Sequence, residues 1–73
     1  MGENMETIKL REEFIKLGQA LKAAGLVDSG AEAKSAILEG LVHVNGETAF
    51  QRGKKLFDGD ELCYDGQTVK IIR

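Results

Sequence analysis

The sequence predicts a small α+β domain in which two short helices pack against a mostly antiparallel β-sheet, in the order β-α-α-β-β-β-β. Apolar residues recur three and four residues apart over 17–24 and 33–37, which indicates two amphipathic helices. In the second half of the chain, alternating polar and apolar residues flank an Asn-Gly pair at 45–46 and an Asp-Gly pair at 65–66. Both pairs are typical of tight β-hairpin turns, so the strands should be antiparallel neighbours.

The first strand and first helix are predicted from the N-terminal third. Residues 1–5 are expected to form a loose tail, and 7–10 alternate as in a strand, which we expect to continue irregularly to Ile15. The apolar face of the first helix, over 17–24, is followed by Gly25. Glycine enters the left-handed conformation of a helix C-terminus at low cost, so Gly25 should end this helix.

The second helix has start and stop signals at both ends. Ser29 and Glu32 are three residues apart, as in a capping box, in which the Ser29 hydroxyl accepts from the Glu32 amide and the carboxylate returns to the Ser29 amide. Ala33, Ala36 and Ile37 form the buried stripe, and Gly40 is placed to end the helix. The two helices should lie against each other, because each has one apolar stripe to bury.

The remaining strands are predicted at 41–44, 47–50, 61–64 and 67–72, with a basic loop over 51–55 between the second and third of these. A turn at Asp58-Gly59-Asp60 precedes the closing hairpin. The lone cysteine, Cys63, falls in a strand, and we expect it to be a buried thiol.

Composition and charge narrow the possible functions. The chain of 73 residues has 42% apolar and 30% charged residues, which fits one folded domain over 1–73. The net charge of −2 excludes a strongly basic, histone-like binder, although residues 16–55 hold six basic and four acidic side chains, a local net of +2. No apolar run approaches about 20 residues and no signal pattern is present, so we expect a cytoplasmic protein without a membrane partner.

Enzyme chemistry is not predicted. With one histidine and one cysteine, the chain has neither a thiol dyad nor a zinc-binding spacing, and no glycine-rich nucleotide loop occurs. The neighbouring acids Asp58, Asp60 and Glu61 are explained by a turn. We therefore expect no catalysis, no cofactor, no metal and no small-molecule substrate.

The order of these motifs resembles a known family. The run KLGQ, then SGAEAK, EGLVHVNGE and RGKKL is similar to the signature of the RNA-binding domain named after small-subunit ribosomal protein four, here the S-four domain. The resemblance is strongest over residues 15–62 and closest to the small, stand-alone bacterial branch of the YaaA and YbcJ type. It implies the paired-helix αL motif and binding to RNA, with ribosomal RNA or ribosomal particles as the partner.

Candidate RNA-binding residues follow partly from the residues and partly from this resemblance. Lys34 falls in the first turn of the predicted second helix, where a cation opposes the helix dipole. A phosphate at that helix end would explain the lysine, and an ordinary solvated side chain is the alternative. The resemblance implies an arginine at Gln51, a departure that should weaken binding. The full set of candidates is Lys16, Lys22, Ser29, Lys34, His43, Arg52, Lys54 and Lys55.

The leading hypothesis is a non-catalytic protein that grips structured RNA, with a role in ribosome assembly or translation. The outer faces of both helices, His43 and the 51–55 loop would form one basic surface. Base stacking is not expected, since most of the four aromatic residues (Phe14, Phe50, Phe57 and Tyr64) fall at predicted core positions. The alternative is a ribosome-associated protein-interaction module with little RNA affinity, which the overall acidity and Gln51 favour.

Overall fold

Residues 5–73 are described by the computed structural model, with seven strands and two helices. The helices are α1 (Leu17–Ala23) and α2 (Gly30–Leu38), and the strands are β1 (Met5–Lys9), β2 (Ile15–Lys16), β3 (Val42–Val44), β4 (Glu47–Thr48), β5 (Lys55–Leu56), β6 (Glu61–Tyr64) and β7 (Gln67–Ile72). The main sheet has the order β1-β7-β6-β3-β4, in which β1 and β7 are parallel and the other pairs antiparallel. The predicted α+β fold is therefore confirmed.

The structure adds two short strands to the predicted order. β2 and β5 pair only with each other, Ile15 opposite Leu56, in a separate two-stranded sheet. The prediction that the first strand continues to Ile15 is wrong, because β1 ends at Lys9 and the chain bends before β2. Of the predicted tail over 1–5, residues 1–4 lie outside the described residues, and Met5 begins β1.

Both helix ends follow the local signals, with one difference. The Ser29 hydroxyl accepts from the Glu32 amide at 3.1 Å, as predicted. The Glu32 carboxylate accepts from the Asp28 amide at 2.9 Å instead of from Ser29, so only half of the capping box is formed. Gly25 and Gly40 end the helices with φ of 74° and 76°. Neither helix in the described part of the chain has the length and apolarity needed to cross a membrane.

One apolar core lies between the helices and the main sheet. Val42 and Val44 of β3 are buried in it, and His43 between them is half-buried on the opposite face of the sheet. The largest fully buried side chains come from both helices and from four strands: Leu17, Leu21, Ile37, Val42, Leu56, Leu62, Val69 and Ile71. Burial of these groups is the main force that holds the helices on the sheet.

Two predictions about buried side chains are wrong. The register pairs Cys63 with His43 and Thr68, on the outer face of the sheet, so its thiol is half-buried, with the Thr68 hydroxyl 3.8 Å from Sγ. The phenylalanines also lie outside the core. Phe50 and Phe57 are 60% and 45% exposed. β4 ends at Thr48, two residues earlier than predicted. Thr48 lies opposite His43 on the outer face and Ala49 is buried, so alternation puts Phe50 on the outer side with Thr48.

Asn45 connects two hairpins of the main sheet. It has φ of 53° in the tight turn between β3 and β4. Its Nδ2 donates to an Asp60 carboxylate oxygen at 3.0 Å, and its Oδ1 accepts from the Glu61 amide at 2.9 Å. Asp60 also accepts from the Phe57 amide at 2.7 Å, so these side chains fix the turn before β6.

Replacing Asn45 with glycine should separate the backbone role of this residue from its side-chain role. Asn45→Gly keeps the positive φ and removes both side-chain hydrogen bonds, so the free energy of unfolding should fall by about 1–2 kcal/mol. Asp65→Gly is the matched control, because Asp65 has the same φ of 53°. No side-chain hydrogen bond of Asp65 occurs among residues 5–73, so this variant should change stability little. Urea unfolding measures both, and equal losses would contradict the assignment.

Candidate nucleic-acid interface

The basic loop over 51–54 is held against the start of α1 by backbone hydrogen bonds. The Leu17 amide donates to the Lys54 carbonyl at 2.8 Å, and the Gly18 amide donates to the Arg52 carbonyl at 3.1 Å. The Lys54 amide closes the loop on the Gln51 carbonyl at 3.2 Å. These bonds use amides that the first turn of a helix otherwise leaves without partners. The loop therefore has a defined position relative to α1.

Gly18 permits this close approach. A Cβ atom at Gly18 would lie 2.7 Å from Cγ of Arg52 and 3.6 Å from the Arg52 carbonyl oxygen. The aliphatic part of the Arg52 side chain thus crosses the surface of α1 where no side chain projects. Sequence reasoning missed this residue. The signal in the sequence was that Gly18 stands alone inside a helical pattern. A glycine at such a position often allows another segment to pack closely against the helix.

Three cations from three parts of the chain line one groove next to this contact. Lys16 precedes α1, Lys22 lies in its last turn, and Arg52 comes from the loop. The groove is open, has a volume of about 390 Å³, and continues along the surface between α1 and the first turn of α2, where Gly30 and Ala33 line it. We call it the cationic groove.

Two of the candidate lysines stand directly opposite each other. Lys16 in β2 pairs with Lys55 in β5, and like charges at opposed positions destabilise a strand pair. The Lys55 ammonium lies 4.7 Å from the centre of the Phe14 ring, a cation–π contact that draws it aside. Across the described chain an ion pair joins Lys70 and Glu61, and no carboxylate pairs with a candidate cation.

The α2 candidates, Ser29 and Lys34, do not line the cationic groove, although their neighbours Gly30 and Ala33 do. Lys34 is the fifth residue of α2, in its second turn and not its first as predicted. It is exposed and stands four residues after Gly30, which puts both on one side of the helix. The helix start is already capped by Ser29, so the dipole argument for a phosphate at Lys34 loses its force. The argument that remains for Lys34 as an RNA-binding residue is its place on the same side of α2 as Gly30, which lines the groove.

The structure does not bring all candidates together. His43 lies on the outer face of the sheet, opposite Thr48 and Cys63, and therefore on the other side of the sheet from the helices. The expectation of one surface that includes His43 is wrong for this reason. Lys54 lines a second groove on the other side of its loop.

The comparisons with known proteins agree with this architecture. Residues 8–72 match the family described as the S4 domain. RlbA of Bacillus subtilis (strain 168), whose name gives ribosome maturation as a probable role, is 42% identical over 59 residues, which cover 81% of this chain and 83% of RlbA. YbcJ of Escherichia coli (strain K12), whose name gives RNA binding as an inferred role, is 33% identical over 69 residues, which cover 93% of this chain and 99% of YbcJ.

A solved structure is similar over nearly the whole fold. The solution structure of Escherichia coli YbcJ is described as revealing an αL motif involved in RNA-binding. It superposes with a TM-score of 0.74 at 33% identity, over 97% of this chain and 91% of YbcJ. From the family match over 8–72 and these two relatives, the chain belongs to the S4-domain family.

Proposed function

We propose that this chain binds structured RNA through the cationic groove and the 51–54 loop, without catalysing a reaction. The observation that carries the proposal is the meeting of Lys16, Lys22 and Arg52 in one open groove, with no carboxylate of residues 6–73 paired to them. Such a groove suits the phosphate backbone of RNA. Contacts to phosphates supply affinity and orientation, while the shape of the folded RNA sets selectivity.

The groove residues differ in what they do for the phosphate. The Arg52 guanidinium binds two phosphate oxygens at once, and the contact with Gly18 limits the directions it can take. Lys16 and Lys22 act as point charges on flexible stems.

The relatives support ribosomal RNA as the class of partner. RlbA carries ribosome maturation in its name, and YbcJ carries RNA binding. We place the function of this chain accordingly in the cytoplasm, in the assembly or translation activity of bacterial ribosomes. The acidic side chains that an enzyme might use have structural roles here: Asp58 accepts from the Arg73 amide, and Asp60 accepts from Phe57 and Asn45.

A second candidate function is a protein-interaction module on the ribosome. Its supporting observation is a group of exposed apolar side chains around the end of α2, with Leu38 62% and Leu41 48% exposed and Phe50 beyond them. A protein partner would cover this group and would not require the cationic groove.

Co-sedimentation with ribosomal particles, followed by binding to protein-free ribosomal RNA, separates the two functions. Groove-mediated binding should be lost as salt rises, with a slope of log affinity against log salt of about −5 if six phosphates are contacted, using the duplex DNA coefficient. Comigration that survives high salt, with no binding to protein-free RNA, would favour the protein module and overturn our proposal.

Removal of single groove charges should change the salt dependence by a defined amount. Arg52→Gln and Lys16→Gln should each weaken RNA binding and make the salt slope shallower by about 1, because each variant contacts one phosphate fewer. Lys70→Gln is the control, since Lys70 alternates with the buried Val69 and Ile71 and therefore lies on the outer face of the sheet, away from the helices. Fluorescence anisotropy at several salt concentrations measures the slopes. If all three variants had the same salt slope, the assignment of Arg52 and Lys16 to the RNA-binding groove would be contradicted.

Gly18→Ala should affect binding more than stability. Alanine is the better helix former by about 1 kcal/mol, but its Cβ displaces Arg52 from the groove wall. We expect a change in unfolding free energy of less than about 1 kcal/mol and a loss of RNA affinity close to that of Arg52→Gln.

Gly30→Ala is the matched control, because it adds a Cβ to the same groove with no atom within 4 Å. In the Arg52→Gln background, Gly18→Ala should have little further effect on RNA affinity, since the guanidinium whose position it disturbs is already gone. An equal additional loss in that background would show that Gly18 acts independently of Arg52.

A further inference from the structure

Phe50 is an exposed aromatic residue beside the loop that forms the cationic groove. Its side chain is 60% exposed. The ring leans on the end of α2, since a Cβ at Gly40 would lie 3.6 Å from its Cε1 atom. The rest of the ring faces a second open groove of about 340 Å³, whose polar lining includes Glu47, Thr48, Gln51 and Lys54. We call this the aromatic groove.

The two grooves share the loop as a common wall. Arg52 and Gly53 line the cationic groove, whereas Gln51 and Lys54 of the same loop line the aromatic groove. The loop is fixed to α1 by the bonds from Leu17 and Gly18, so the two grooves have a fixed relation to each other. A nucleotide chain that crosses the loop can place phosphates on one side and a base on the other.

We propose that Phe50 is a stacking platform for one unpaired base of the RNA whose backbone occupies the cationic groove. This inference rests on the proposed function and adds a class of substrate to it: folded RNA with a bulged or looped-out nucleotide next to a duplex. Lys54 attracts the phosphate attached to that nucleotide, and the Gln51 and Thr48 side chains offer hydrogen-bonding groups to the edge of the base.

The lining of the aromatic groove favours a nucleotide over a protein side chain. Five of the eight lining residues are polar, and two of these are charged: Lys54, next to the proposed phosphate path, and the acidic Glu47. Stacking of a base requires one exposed aromatic face. Proteins that bind unpaired bases without regard to their sequence commonly provide such a face. The cores of protein interfaces are instead depleted of charged residues such as Lys54.

The test uses two short RNA hairpins that differ by one unpaired nucleotide in the middle of the stem, with a third in which that nucleotide lacks its base. The native protein should bind the bulged hairpin about tenfold more tightly than the paired one, and the abasic hairpin should lose this preference. Phe50→Leu keeps an apolar side chain without a π face and should abolish the preference, whereas Phe50→Trp should retain it.

Controls separate this inference from the proposed function. Leu41→Ala removes a neighbouring exposed apolar side chain that has no π face, and it should leave the preference intact. The salt slope should be unchanged in Phe50→Leu, because stacking releases no counterions, while Arg52→Gln changes the slope and retains the preference for the bulge. Urea unfolding of each variant confirms that the fold is retained.

Each contrary outcome has a distinct meaning. If Phe50→Leu binds all three hairpins as the native protein does, with Arg52→Gln still impaired, the stacking inference fails and the proposed function stands. If Phe50→Leu reduces comigration with ribosomal particles without changing any hairpin affinity, the aromatic groove docks a protein and the inference also fails. If the native protein binds none of the hairpins and no ribosomal RNA, both proposals fail.

Discussion

Two backbone hydrogen bonds, from the amides of Leu17 and Gly18 to the carbonyls of Lys54 and Arg52, join the beginning of α1 to a loop more than thirty residues later in the chain. They occupy donors that the first helical turn would leave to solvent, and they give a short exposed loop a fixed place. The pairing of β2, directly before α1, with β5, directly after the loop, continues the same contact. Without it, the cations of α1 and of the loop would belong to independent, mobile segments.

The remaining strands determine which side chains reach this region. β3 is short, and its pairing with β6 puts Val42 and Val44 opposite Tyr64 and Leu62, on the core side. Alternation along a strand then forces His43 to the outer face, away from the helices. The same register puts Cys63 on that outer face. One constraint, the burial of two valines, thus explains why a residue that the resemblance placed on the RNA surface lies elsewhere.

Local signals in the sequence predicted much of the fold. The glycines that end both helices, the Ser29 cap and the two hairpin dipeptides are each decided within a few residues, and the structure confirms them. What the sequence did not predict depends on distant contacts. β2 and β5 are two residues each and exist only through each other, so neither has a periodic pattern to recognise.

In the candidate site, too, the sequence indicated individual residues but not the contacts between distant parts of the chain. Lys16, Lys22 and Arg52 could be selected from the resemblance, but their meeting in one groove depends on the tertiary contact at Gly18. Phe50 was expected at a core position, since aromatic residues are usually buried. In the observed register Ala49 is the buried residue, so alternation leaves the Phe50 ring on the outer side with Thr48.

The chain has a negative net charge, and its proposed ligand is an anion. The two are compatible because the acidic and the basic side chains lie at different positions and have different roles. Asp58, Asp60 and Glu32 accept hydrogen bonds from backbone amides at turns and at a helix start, so these acids stabilise the fold. The groove cations have no such partner among the described residues. Exposed charges are screened beyond about 8–10 Å in physiological salt, so acids farther than this from the groove cancel little of its field. Local arrangement, and not the sum of −2, determines which ligand this surface attracts.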